Sequence, residues 1–286
     1  MSFKDGPRSV SARRMLTLSG VAVSLALPAV GAPVTGPTDT GSQSVLEKAG
    51  GVQASSGPGF LINVAASGGG EGEGGQAMVG DVDFLRDLGY LTGRLRVGLA
   101  LAKEGDRTAA RAHMGQPIAG KYEMVAERAK ELGLDELRGD FAALSAATEA
   151  DAPVAELERL YDKVMAGVDV AAAASPSDAH DRLLALAELA RIAAGDYSAA
   201  VEDAAISDLG EYQDAWGFVE TIRVTAGHLA ASDDARVAEA AQRIVGLASS
   251  MAPAFGDLQG NGIAELDPSL LYAAAARMEL AALGAK

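Results

Sequence analysis

Apolar positions along this chain change their period once, near residue 78, and nowhere settle into a sustained alternation of two. From Met78, the residues Val82, Leu85, Leu88, Tyr90, Leu91, Leu95, Leu99 and Leu101 recur at threes and fours. That spacing predicts one long amphipathic helix, ended by Gly105. Gly89, Gly93 and Gly98 lie on it, and each lowers helix stability. Their spacing predicts that another helix approaches its backbone closely. Asp106 caps a second helix to about Met114, and Gln116-Pro117 breaks it. Further helices are predicted over 118–132, 134–149 and 153–174, with turns at Gly133 and Asp151-Ala152-Pro153. Ser175-Pro176-Ser177 opens the next, which runs to Ala194. After Gly195-Asp196 the helical pattern continues to about Ser207, and then from Gly210 to Ala231. Ser232-Asp233-Asp234 caps another up to Met251, Asp257 to Asn261 reads as a Gly-rich loop, and Asp267-Pro268 starts the last helix. No segment reads as a strand. The expected fold is all-α, a bundle of about eight to ten helices.

One echo suggests internal structure. Gly105-Asp106-Arg107-Thr108-Ala109-Ala110 recurs as Gly195-Asp196-Tyr197-Ser198-Ala199-Ala200. Glycine as a left-handed helix stop and aspartate as the next cap explain both copies locally. With the break at Ser175-Pro176 between them, the domain over 78–286 divides into two candidate related halves, 78–174 and 176–286. No regular period of a helical-repeat array accompanies the echo.

Before residue 78 the chain reads differently. Arg13 and Arg14 precede an uncharged run from Met15 to Ala32 that ends in small residues. A charged start, an apolar stretch and a small-residue exit make residues 1–32 a secretory signal. Gly20, Ser24, Pro28 and Gly31 dilute the run, which favours cleavage over a retained membrane span. The mature protein is therefore expected in the periplasm or secreted. The arginine pair resembles a twin-arginine signal in part, so general secretory and twin-arginine export both stand. Residues 33–77 read as a disordered linker of Gly, Ser, Pro and Glu. Phe60-Leu61-Ile62-Asn63-Val64 is its apolar island, and Gly68 to Gly75 cannot bury enough surface to offset chain entropy.

Composition narrows the chemistry. The chain of 286 residues is 49% hydrophobic yet only 5% aromatic, so its core must be small and aliphatic, which suits closely packed helices. It has no cysteine, which excludes disulfides, thiolate metal sites, iron–sulfur clusters and cysteine nucleophiles. The net charge is −15; residues 1–32 carry +3, leaving about −18 on the rest. Such a surface repels phosphate backbones, so no nucleic-acid partner is expected. It attracts cations or basic proteins, and it also serves simple solubility.

Candidate ligands are few. Of three histidines, His228 ends a long helix where it can meet orphan carbonyls. His180 reads as a solvated first-turn residue. His113, beside Met114 and the break at Gln116-Pro117, could offer itself to iron or copper. The densest polar cluster is Glu202-Asp203, Asp208, Glu211-Tyr212-Gln213-Asp214 and Glu220. Glu211 and Asp214 are three apart and share a helix face. No Glu-x-x-His occurs, which excludes a ferritin-type di-iron centre. A mononuclear site of Glu211, Asp214 and a histidine from another helix remains, against a solvated acidic face. Gly-x-Ser-x-Gly, Walker A and His-Glu-x-x-His are all absent, so no enzyme is expected.

The stretches Gly93-Arg94-Leu95-Arg96-Val97-Gly98, Gly105-Asp106, Ala112-His113-Met114-Gly115-Gln116-Pro117-Ile118, Tyr122 and Glu211-Tyr212-Gln213-Asp214-Ala215 carry a resemblance. They look like an uncharacterised family of exported helical proteins, similar to the periplasmic helical regions that accompany iron permeases and imelysin-type iron-uptake proteins. In that pattern histidines stand where this chain has Arg94 and Gln116, which leaves His113. The resemblance implies a non-enzymatic binding or accessory role in iron or other transition-metal uptake. It also implies a metal ion, a membrane permease or another periplasmic protein as partner. The metal would sit at His113, Glu211 and Asp214, with Met114 and Tyr212 nearby. The alternative is a helical scaffold that binds a partner protein without metal. In that case His113 should lie more than roughly 8 Å from every carboxylate, far beyond ligand bond lengths near 2 Å.

Overall fold

Helix α1 (Val79–Glu104) is the longest element, and apolar side chains bury it on several faces: Phe84, Leu88, Leu91, Leu95, Val97 and Leu101. It opens the part of the chain, residues 79–286, that the computed structural model describes. The export signal expected over 1–32, the linker over 33–77 and its island at 60–64 lie outside the described residues. Gly105 ends α1 in the left-handed region, φ 91°. The next amide closes the helix end, Asp106 N–H to Leu101 O at 2.9 Å. Asp106 then caps α2 (Arg107–Met114), its carboxylate accepting from the Ala109 amide at 2.9 Å.

Four more helices complete the first part: α3 (Gln116–Lys121), α4 (Glu123–Glu131), α5 (Glu136–Glu149) and α6 (Val154–Ala174). The single helix expected over 118–132 is thus two, parted at Tyr122, whose buried ring packs on Phe141 of α5 with centroids 5.2 Å apart. The remaining helices are α7 (Ala179–Ala200), α8 (Leu209–Leu229), α9 (Ala235–Ser250) and α10 (Ser269–Leu283). The all-α expectation holds. Two apolar clusters form, one from α1–α6 with Leu258, the other from α7–α10 around Tyr197, Tyr212, Phe218, Ile222 and Met278. Buried alanines on α7 (Ala187, Ala190, Ala193, Ala194) let its neighbours come close, which is how a core poor in aromatic residues still fills space.

Gly89, Gly93 and Gly98 of α1 each receive a different helix. A Cβ on Gly89 would lie 2.9 Å from Leu189 Cδ2 on α7, one on Gly93 would lie 2.4 Å from Phe218 Cδ1 on α8, and one on Gly98 would lie 2.4 Å from Met114 Cβ on α2. Gly217 on α8 returns the contact, since its own Cβ would fall 2.4 Å from the Gly93 carbonyl oxygen. The close approach read from the glycine spacing is therefore real, and it involves three partners.

Gly195-Asp196, read as a turn like Gly105-Asp106, lies inside α7. Only Gly105 of the pair of glycines takes a positive φ. The physical reason is burial: Ala193, Ala194, Tyr197 and Ala200 continue the apolar face of α7 straight through the Gly-Asp step, and packing overrides the local stop signal. The helical pattern expected to Ser207 instead gives way to a small antiparallel hairpin, β1 (Val201–Glu202) and β2 (Ala205–Ile206), with Val201 opposite Ile206. Asp203 (φ 50°) and Ala204 (φ 57°) make its two-residue turn in the left-handed region.

Candidate functional site

The end of α7, the hairpin and the start of α8 set three carboxylates against one another. Asp196 is one turn from the end of α7. Ser207 N–H bonds back to Ala200 O at 2.8 Å, which folds the chain tightly after the hairpin. Asp208 then caps α8, accepting from Gly210 N–H at 2.9 Å and Glu211 N–H at 3.1 Å. Glu211 falls in the first turn of α8, where the helix N-terminus favours negative charge, and Asp214 follows one turn later. Asp196, Glu211 and Asp214 each place an oxygen within 4.8 Å of the others.

Asp214 is the buried member, and its charge is met from the first part of the chain. His113 Nδ1 donates to Asp214 Oδ1 at 2.8 Å. Arg94 Nη1 donates to Asp214 Oδ2, and Arg94 Nη2 reaches the carbonyl of Ala112 at 3.1 Å. The other imidazole nitrogen, Nε2, meets Gln213 Oε1 at 2.8 Å, and Gln213 Nε2 donates to Leu258 O at 2.8 Å. That last bond fixes which end of the amide faces the ring. Both nitrogens of His113 are thereby taken up by oxygens, and the ring holds Asp214 in place.

No such pairing meets the other two acids. Burial pushes the Asp196 carboxyl up to about 7, helped by the negative charges of Glu211 and Asp214 and opposed by Arg94 and Lys121. Glu211 is raised too, by burial first and then by Asp214 and Asp208. The cluster is short of positive charge despite Arg94. Three oxygens that repel one another in a partly buried cluster have the chemistry to hold a cation.

Of the residues expected to meet here, Asp214 is bonded by His113 and lies beside Glu211, but His113 is not among the clustered carboxylates. Met114 and Tyr212 serve the core. Met114 is fully buried against Gly98, and Tyr212 donates to Asp257 O at 3.0 Å while accepting from Gly256 N–H at 2.9 Å. Asp196 escaped notice because a Gly-Asp step reads as a turn. The uninterrupted apolar spacing from Ala190 to Ala200 was the signal that could have placed it on a helix. Arg94 and Gln213 were likewise not assigned to the network. His180, expected to be solvated, is buried and donates through Nδ1 to Ala282 O at 2.9 Å, tying α7 to the end of α10. His228 sits exposed in the last turn of α8.

Among the described residues, no helix is long and apolar enough to cross a membrane. Searches of curated proteins and of solved structures return no match. Comparison with protein families does return one, over a segment that begins in the last turn of α6 and takes in α7, the hairpin, α8, α9 and the loop to Gln259. All three clustered carboxylates fall within it. Over residues 172–259 the chain matches the iron permease-associated 4-helix bundle domain.

Proposed function

We propose that this is an exported, non-enzymatic accessory protein of a transition-metal uptake system, iron foremost, that works beside a membrane permease. Its cation contact is the cluster Asp196, Glu211 and Asp214, and His113 acts by positioning Asp214. The observation that carries this reading is the approach of three carboxylate oxygens to within 4.8 Å of each other inside the segment that matches the iron permease-associated domain. His113 lies 2.8 Å from Asp214, well inside the separation that a metal-free scaffold called for. Iron is preferred over copper because of the donors: carboxylates face the site, whereas the Met114 sulfur is buried in the core and the His113 nitrogens are occupied.

The test is metal content by elemental mass spectrometry on protein purified from its own compartment without affinity tags. Titration of chelator-stripped protein with Fe(II) under argon follows, with Mg(II), Ca(II) and Cu(II) as competitors. The expected result is about one iron per chain and binding weakened by at least about tenfold in Glu211→Gln and Asp196→Asn, since each removes one charged ligand. His113→Ala should weaken retention less than either. Protein that carries no metal and takes none up would overturn the reading and leave the scaffold.

A further inference from the structure

Helices α9 and α10 run antiparallel and leave a groove between them on the outside of the second apolar cluster. Along one bank α9 passes from Arg236 to Leu247, and along the other α10 passes from Gly284 back to Arg277. Two stretches of about 110 and 420 Å³ make up the groove and meet at Arg243, Leu280 and Ala281. At 1.5 Å per residue it is about 16 Å long, three turns of a helix. Small residues recur along it: Ala240, Gly246, Ala281 and Gly284. A methyl added at Gly246 would meet nothing within 4 Å, so the space over that residue is open.

Apolar surface is gathered beside it. Among the described residues five large hydrophobic side chains are exposed, and three of them lie on α10: Tyr272, Leu280 and Leu283, at 49, 69 and 53%. With exposed Ala276 they stand four, four and three residues apart, which sets them in one stripe along the helix. Single exposed apolar residues are ordinary, but a contiguous strip rimmed by polar groups marks an interaction surface.

Charge says what covers it. Arg236, Arg243 and Arg277 edge the groove against one carboxylate, Glu239. Three positive charges against one negative give a local excess in a chain whose net charge is −15. Arg236 donates to the Lys286 carbonyl oxygen, and Arg243 meets Glu239 with both side chains largely exposed. Arg277 has no ionic or hydrogen-bonded partner among the described residues. Exposed pairs of this kind contribute little, so all three guanidiniums are open to an incoming carboxylate. A second copy of this chain is disfavoured, because an isologous contact would set one basic groove against another. A flat bilayer would rest on the rims and leave the floor empty, whereas a helix can seat its ridge of side chains between two others. The arginines require the flanks of that helix to be acidic. With a Debye length of about 8 Å at physiological ionic strength, the acidic surface elsewhere is screened and the groove decides.

We infer that the groove between α9 and α10 docks an acidic amphipathic helix of a partner protein, its apolar ridge against Leu247, Leu280 and Ala281 and its carboxylates on Arg236, Arg243 and Arg277. Iron binding at the carboxylate cluster is not required for this. The probe is a synthetic peptide of about 18 residues, long enough to be helical in water, with leucines three and four apart and glutamates flanking them. It is titrated into the full chain at about 0.15 M salt and followed by fluorescence anisotropy. One twin carries glutamine for glutamate, and another carries serine for leucine. The glutamate peptide should bind once per chain, and each twin at least about tenfold more weakly. Arg277→Glu should weaken the glutamate peptide by about tenfold or more and leave the glutamine twin unchanged. Gly246→Leu fills the open floor without displacing an existing contact; it should abolish binding while circular dichroism stays that of the parent. No binding of the glutamate peptide, equal binding of either twin, or binding indifferent to both substitutions would each overturn the inference. So would self-association that Gly246→Leu abolishes, which assigns the groove to a second copy, or binding to phosphatidylglycerol vesicles that Leu280→Ser abolishes, which assigns it to a membrane.

Discussion

Replacing Gly217 with alanine tests whether the contact between α1 and α8 organises the molecule. The added methyl would lie 2.4 Å from the Gly93 carbonyl oxygen, 2.6 Å from Val97 Cγ2 and 3.0 Å from the Gly93 carbonyl carbon. Two of those three atoms are backbone and cannot rotate away. A relaxed carbon–oxygen contact is about 3.3 Å, so the helices would have to part by nearly 1 Å. Alanine returns about 1 kcal/mol of helix propensity, but overpacking at a rigid contact costs about 1–3 kcal/mol and at times more. The expected net loss is about 1 kcal/mol, or a fall in Tm of about 2–4 °C for a domain of this size. Gly195→Ala is the matched control: it lies mid-helix in α7 with nothing within 4 Å of its added methyl, so it should stabilise by about 0.5–1 kcal/mol. Urea unfolding followed by far-UV circular dichroism gives both values. If Gly217→Ala were as stable as the parent while Gly195→Ala gained, the close packing described for α1 and α8 would be wrong.

Other consequences can be checked on the same preparations. Asp196 holds its proton up to about pH 7 when folded and only to its ordinary 3.8 when unfolded. The folded state therefore binds more protons between those values. Its stabilising contribution is complete below about pH 4 and is lost as pH rises through 7. The full linkage is about 4 kcal/mol, reduced by partial exposure and screening to about 1–2 kcal/mol. Chelator-stripped Asp196→Asn should accordingly outlast the parent in urea at pH 8 and match it near pH 4; a difference independent of pH would refute the assignment. Proton release on binding should make iron affinity fall as pH drops below about 7, by up to tenfold per pH unit, measurable by titration at pH 6 and 8. Arg94→Met removes the guanidinium that faces buried Asp214 and should destabilise by about 2–4 kcal/mol, with partial recovery when Asp214→Asn is added. Asp178→Ala deletes the half of the capping box in which the Asp178 carboxylate accepts from the Asp181 N–H at the start of α7, and leaves the Asp178 N–H to Asp181 bond in place; it should cost about 1 kcal/mol by thermal denaturation.

Helix positions were legible wherever the apolar period was long and its ends were chemically marked. Gly105, Asp106, Asp234 and Pro268 do at helix ends what their side chains or backbones suit them for. The glycine spacing on α1 even announced the close helices, because a residue that weakens a helix three times over must be compensated by contact. Legibility failed where a local signal and a buried face disagreed. Gly195-Asp196 has the composition of a stop, yet Tyr197 and Ala200 are buried, and the tertiary packing of α7 decides. The same conflict hid Asp196 from the candidate site. His113, Glu211 and Asp214 could be brought together from one-dimensional spacing and resemblance, but the hydrogen bonds that turn His113 toward Asp214 and Gln213 could not. They depend on side chains about a hundred residues apart, whose pairing no local pattern records.

The six-residue passage through the hairpin also sets an order of assembly. Asp196, Glu211 and Asp214 lie on two helices joined by that short, tightly turned link, so their meeting requires closure of only a small loop. Arg94 and His113 reach Asp214 from 120 and 101 residues away. Loop closure over longer separations is slower and entropically costlier. Closure of the short link should therefore bring the three carboxylates together before Arg94 and His113 reach Asp214, so that they first meet without the Arg94 counter-charge. A metal ion present while the chain folds would meet the cluster at its most receptive.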